Sequence, residues 1–159
     1  MIPEEHTIAV VEHEISAVLA WAKRKTIQLK WDSNAVALSV ILVQPETGEN
    51  FYLYGDLKGY KVIPPAWTFR NELWEGGSNK SDYPKPAKTK WGSSIFHKQP
   101  TICVPFNRLA YKEHEGPHSD WGGPSKWLSA GGSYIKAHTL GDMLQAIRRD
   151  FLFTRGRMG

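Results

Sequence analysis

Apolar residues at three- and four-residue steps open the chain: Ile8, Val11, Ile15, Val18, Leu19 and Ala22 fall on one face of a helix predicted over residues 4–24. Glu4 and Glu5 stand at the positive end of its dipole, and Lys23, Arg24 and Lys25 at the negative end. The period then drops to two. In residues 26–32, Ile27, Leu29 and Trp31 alternate with Gln28 and Lys30, the pattern of a half-buried strand. Residues 35–44 are β-branched and apolar and end at a Pro-Glu-Thr-Gly turn; residues 50–57 are rich in aromatics and close near Gly59. Short turns between successive strands predict an antiparallel meander. Pro64 and Pro65 then force an extended path into a short fourth strand carrying Trp67 and Phe69. Near the other end, Thr139 and Asp142 form a T-x-x-D cap. Leu140, Met143, Leu144, Ile147 and Phe151 give the helix that follows its apolar face, and Arg148 and Arg149 close it. The last residues, 154–159, are expected to fray. Helix, meander and helix together make an α+β chain.

Between the fourth strand and the last helix the periodicity is lost. Residues 71–92 hold three glycines and two prolines, and residues 110–133 repeat Gly and Pro around Trp121 and Trp127. Both are read as long insertions within one domain spanning residues 1–159, and loops of that length tend to be functional or mobile. Composition adds limits. With 159 residues, 41% hydrophobic and 23% charged, the chain can bury one ordinary core. Its charge of +4 is concentrated late, in Arg148, Arg149, Arg155 and Arg157. That favours acidic partners weakly and gives no reason to expect nucleic-acid binding. The opening residues are acidic and lack a signal-peptide pattern, and no apolar run is long enough to span a bilayer. A single cysteine excludes an internal disulfide, so a reducing, cytoplasmic setting is expected, without membrane contact and without a cofactor.

That cysteine is the focus of the candidate chemistry. Cys103 lies in an apolar run at residues 101–106, after Pro100 and before Pro105, with His97 six residues upstream. A lone cysteine is either a small buried hydrophobe or a reactive thiol. A free thiol is only a few per cent ionised at neutral pH unless a neighbouring cation helps, and His97, Lys98 or Arg108 could supply one.

The order of these features resembles the ubiquitin-conjugating enzyme family. Pro64-Pro65 resembles that family's paired prolines after the third strand, and Ile95-Phe96-His97 the start of its His-Pro-Asn motif. Thr101-Ile102-Cys103 resembles the segment carrying the catalytic thiol, and Trp127-Leu128-Ser129-Ala130 the Trp-Ser-Pro that follows it. The sequence departs from the pattern in having Lys98-Gln99 after His97, so the oxyanion-stabilising Asn is missing from its usual place. The compact chain ending in one helix is similar to divergent bacterial members, above all the stand-alone proteins of short type II CBASS antiphage operons. The resemblance implies a ubiquitin-conjugating-type fold with an extended active-site loop. It also implies a thioester between Cys103 and the C-terminus of a partner protein, there a cGAS-like nucleotidyltransferase. A cysteine suits the relay because it is intrinsically nucleophilic and its thioester stays reactive toward amines. An oxyanion donor, worth about 3–4 kcal/mol, would come from Asn107, Gln99 or His97. His97 could instead brace the loop, and His138 or Asp120 could orient or deprotonate an incoming amine.

Other classes compete with this reading. The same fold without turnover would be a binding scaffold, with Cys103 in the core. His114-x3-His118-x-Asp120 has ligand types that could hold zinc in a hydrolase, although no second cysteine supports it. The tryptophans and lysines of residues 74–91 could stack bases, but beside Pro and Gly they more often pin loops to a core.

Overall fold

The helical and strand periods become the elements they predict. In a computed structural model that describes residues 4–90, 92–132 and 135–159, helix α1 runs Glu4–Lys25 and helix α2 Leu140–Phe151. Strands β1 (Gln28–Asp32), β2 (Ala37–Val43), β3 (Asn50–Asp56) and β4 (Ala66–Arg70) lie between them. The opening Met-Ile-Pro, Trp91 of the first insertion, and Ser133 of the second with its neighbour Tyr134 lie outside the described residues. The strands form a four-stranded sheet in the order β1-β2-β3-β4, every pair antiparallel. Among the described residues no helix is long and apolar enough to cross a membrane.

One face of the sheet is apolar because inward positions alternate along each strand: Leu38, Val40 and Leu42 on β2, Phe51 and Leu53 on β3, Trp67 and Phe69 on β4. Gly55 continues the β3 row, where a Cβ would come within 2.5 Å of the Trp67 ring, so the indole occupies the space a side chain would need. Phe69 is the hub. Its ring meets Phe51 at 6.1 Å, Tyr83 at 5.4 Å, Phe96 at 5.7 Å and Phe151 at 6.2 Å. One side chain thereby ties the sheet to the first insertion, to the segment ahead of Cys103 and to α2.

On α1 the buried stripe is Thr7, Val11, Ile15, Val18, Trp21 and Ala22. Leu19, expected on that face, is 46% exposed. The stripe is centred one position round the helix because Trp21 brings more area to bury than Leu19 does. Glu14 on α1 accepts hydrogen bonds from the Tyr60 hydroxyl, the Lys61 ammonium and the Leu140 N–H, so one carboxylate holds the β3–β4 connection and the start of α2. The Thr139 side chain caps α2 by accepting from the Asp142 N–H at 3.2 Å.

The tail does not fray as expected. Gln44, fully buried, accepts the Gly156 N–H at 2.8 Å and donates to the Gly156 carbonyl and the Thr154 hydroxyl. Met158 then donates its N–H to the Tyr83 carbonyl and is only 8% exposed. A short polar tail was read as solvated because its partner, Gln44, lies about a hundred residues away in sequence. The tail also pins the first insertion: Pro84 bridges Arg157, and the Tyr83 hydroxyl donates to the Gly77 carbonyl at 2.6 Å.

Candidate functional site

Cys103 is placed by a small hairpin. Phe96 bridges Ile102, the His97 N–H donates to the Thr101 carbonyl, and the Cys103 N–H donates to the Ile95 carbonyl at 2.7 Å. Side chains alternate across such a pair, so Phe96 and Ile102 share one face while Ile95, His97, Thr101 and Cys103 share the other. Phe96 goes down onto Phe69, which puts Cys103 on the opposite face of the hairpin, where it is still buried. α2 holds the start of the hairpin: the buried Asp150 carboxylate accepts the Ile95 N–H at 3.0 Å.

Asn107 fixes the other side. It is fully buried, and its Oδ1 accepts the Trp67 N–H at 2.9 Å and the Leu109 N–H at 3.3 Å. Its amide donates to the Ile102 carbonyl at 2.8 Å and the Trp67 carbonyl at 3.2 Å. The side chain therefore closes the free edge of β4 against the cysteine segment. Both amide protons are committed, so the expected role of Asn107 as an oxyanion donor is corrected to that of a clamp. The Cys103 N–H is equally committed, to Ile95.

The second insertion brings the thiol a partner. After a 3-10 turn at Lys112–His114, Glu115 takes a left-handed conformation with φ of 66° and the chain doubles back. Gly116 makes that return possible: a Cβ there would lie 2.3 Å from the Ala110 carbonyl carbon and the Leu109 oxygen. Residue 118 then runs alongside Tyr111, its N–H donating to the Ala110 carbonyl and its carbonyl accepting the Lys112 N–H. The His118 Nε2 arrives 2.9 Å from the Cys103 Sγ, and its Nδ1 is 3.0 Å from the Asp120 carboxylate. Trp121 lies flat on the imidazole, with ring centroids 3.6 Å apart and planes inclined by 5°. Tyr111 braces Trp121 edge-on and donates its hydroxyl to the Pro105 carbonyl.

A carboxylate only accepts, so His118 carries its proton on Nδ1, toward Asp120, and presents the Nε2 lone pair to the thiol. That hydrogen bond from His118 holds the Asp120 carboxyl below its usual range. Cys103 is only 2% exposed, and burial, with the Asp120 charge adding to it, pushes the thiol up to about 12. A thiolate therefore forms here only as the proton passes to His118, leaving a neutral pair overall. The geometry suits proton removal from sulfur and return of the proton to a leaving group.

No protein-family model matches the chain, and neither does any curated protein or solved structure.

The remaining candidates fall in several places. His97 shares that face of the hairpin with Cys103, one diagonal step away, a spacing of about 7–8 Å in ordinary sheets. Burial, together with the nearby His118, lowers its pKa. It also lines an open cleft of about 400 Å³ with Pro86, Ser93, Phe96, Lys98 and Gln99. Asp120 sits on His118 rather than beside an incoming amine. His138 packs edge-on against Trp127, ahead of α2, and its carbonyl accepts from Tyr60. Among the described residues no contact joins its ring to Cys103. His114 closes the 3-10 turn, away from the ring nitrogens of His118, which face Cys103 and Asp120. Among the described residues no three His, Cys, Asp or Glu side chains converge as metal ligands, so the zinc triad His114, His118 and Asp120 does not assemble. His118 itself was read only as a loop residue or a metal ligand. The local signal was His118-x-Asp120-Trp121, a base with its orienting acid and a ring to hold it.

Proposed function

We propose that this protein is a cysteine-dependent acyl transferase of ubiquitin-conjugating type, carrying a thioester on Cys103. The observation that carries the proposal is the Cys103–His118–Asp120 array, which gives the thiol a proton acceptor and fixes that acceptor's tautomer. The α+β order of helix, antiparallel meander and helix is compatible with the reading. The acyl donor proposed is the C-terminus of a cGAS-like nucleotidyltransferase in a bacterial antiviral operon, acting in the cytoplasm. This partner rests on the sequence resemblance alone, through the Asn-less pattern after His97 that is similar to the stand-alone proteins of short type II CBASS operons.

The test is co-expression with the neighbouring operon proteins, wild type beside Cys103→Ala, followed by gel analysis with and without reductant. The expected product is a higher-mass adduct, cleaved by neutral hydroxylamine and absent from the variant. Hydroxylamine separates a thioester from a disulfide, which it leaves intact. The burial of Cys103 favours a second reading, a binding scaffold with the thiol as a core residue. Unchanged binding by the variant with no adduct in either protein would establish that one.

A further inference from the structure

The base that lets Cys103 accept an acyl group stays beside the acyl-cysteine, where it can also activate water. We propose that Cys103, His118 and Asp120 form a thiol hydrolase centre, which takes slim acyl groups from oxygen or sulfur esters and releases them to water. The inference rests on the reading of Cys103 as an acyl acceptor and adds the fate of the acyl group.

The steps balance within the site. His118 Nε2 takes the thiol proton as sulfur attacks the ester carbonyl, forming the C–S bond. The tetrahedral intermediate collapses, the C–O or C–S bond to the leaving group breaks, and the imidazolium returns the proton to it. His118, neutral again, removes a proton from a water molecule that attacks the acyl-cysteine. The C–S bond then breaks, the acid departs, and the sulfur recovers its proton from His118. Water is the only co-reactant.

Three features serve the second half-reaction in particular. The Asp120 carboxylate fixes the Nδ1–H tautomer and stabilises the imidazolium that forms twice per cycle. Trp121, flat against the ring, holds its plane and offers a π face to the cation. Gly116 lets the backbone approach that seats His118 above the sulfur. Because only 2% of Cys103 is exposed, access favours thin acyl chains, and acetyl is the natural probe.

The experiment uses the full chain with p-nitrophenyl acetate, following p-nitrophenolate release and, by intact mass, the acetyl group on the protein. Wild type is expected to show a stoichiometric burst, an acetyl group on Cys103 that decays, and continued turnover. His118→Gln should slow acylation and deacylation by roughly 100-fold or more. Asp120→Asn, at a side chain 70% exposed and therefore safe for folding, should slow deacylation roughly tenfold. Asp120→Glu, which keeps a carboxylate for the His118 Nδ1–H, should restore most of that rate. Cys103→Ala should release no burst. An acetyl-Cys103 that persists equally long in wild type, His118→Gln and Asp120→Asn would overturn the hydrolase while leaving the acyl acceptor intact. No acetylation of Cys103 at all would end both readings.

Discussion

The sheet with its two helices and the irregular stretch from residue 71 to residue 139 are held by different physics. In the first, burial follows period: the inward rows of β2, β3 and β4 and the stripes of α1 and α2 make a continuous apolar interior. Consecutive strands are neighbours in the sheet. In the second, few residues repeat, and order comes from single polar clamps and aromatic pins. Asn107 joins β4 to the cysteine segment, Asp150 holds Ile95, and the Trp127 indole donates to the Lys61 carbonyl. Such clamps are buried or half-buried, so removing one strands the backbone groups it serves. The regular half can lose a methylene and repack. The irregular half carries its chemistry on contacts that have no substitute, and the site lies there.

The most severe break is expected at Asn107. Alanine there leaves the Trp67 N–H and the Trp67 and Ile102 carbonyls buried without their partner, at a cost of about 3 kcal/mol or more. Urea unfolding would read this as a lower midpoint at unchanged slope. A loss below about 1 kcal/mol would mean the irregular half is not held by its clamps.

A smaller and more local effect is expected from Gly116→Ala. The added Cβ meets backbone rather than a flexible side chain, so the return loop must open. Strain of about 1–3 kcal/mol, confined to that loop, would raise the reaction rate of Cys103 with a thiol reagent by roughly tenfold, while far-ultraviolet dichroism stays that of wild type. Unchanged thiol reactivity would show that His118 is not seated by this close approach.

The smallest effect belongs to Asp150, where the two halves meet. One oxygen accepts the Ile95 N–H; the other is buried with no hydrogen-bond partner among the described residues. Burial raises the carboxyl above its usual range, against the opposing pull of the Ile95 N–H and Arg149. The folded state therefore binds this proton more tightly than the unfolded chain does. The stability it adds is present in acid and lost as pH rises through the folded value. Asp150→Asn keeps an acceptor for Ile95 and removes the charge. It should abolish that loss, so the variant gains on wild type as pH rises from acid, by no more than about 1 kcal/mol at neutral pH. Thermal melts of both proteins from pH 3 to 8 would show it; a stability difference that does not grow in the variant's favour as pH rises would contradict the assignment.

Much of the regular half was legible in the residues. The change of period at residue 26, the Pro-Glu-Thr-Gly turn and the Thr139 cap each act over a few residues, and α1, the four strands and α2 lie within two or three residues of the spans they imply. The tail was misread because Gln44, its anchor, is a lone polar residue at the end of an apolar strand. Leu19 was assigned to the buried stripe because periodicity alone does not weigh Trp21 against it. In the site, Cys103, His97, Asn107, Asp120 and His138 were all singled out, but their relations were not visible. Asn107 reads as a candidate oxyanion donor until Trp67, forty positions away, is seen against it. His118 lies fifteen residues from Cys103, a separation no local rule connects.

The sequence by itself determined where helix and strand alternate, the α+β class and the presence of one free thiol among polar candidates. These follow from backbone periods, turn residues and caps, whose energetics are settled over one or two turns of chain. Which histidine faces the thiol, and that Asn107 is spent as a clamp, were decided only by the tertiary structure. The Gly116 return and the Trp121 stack bring His118 to 2.9 Å from the sulfur, and that placement is a property of packing between segments with no shared period.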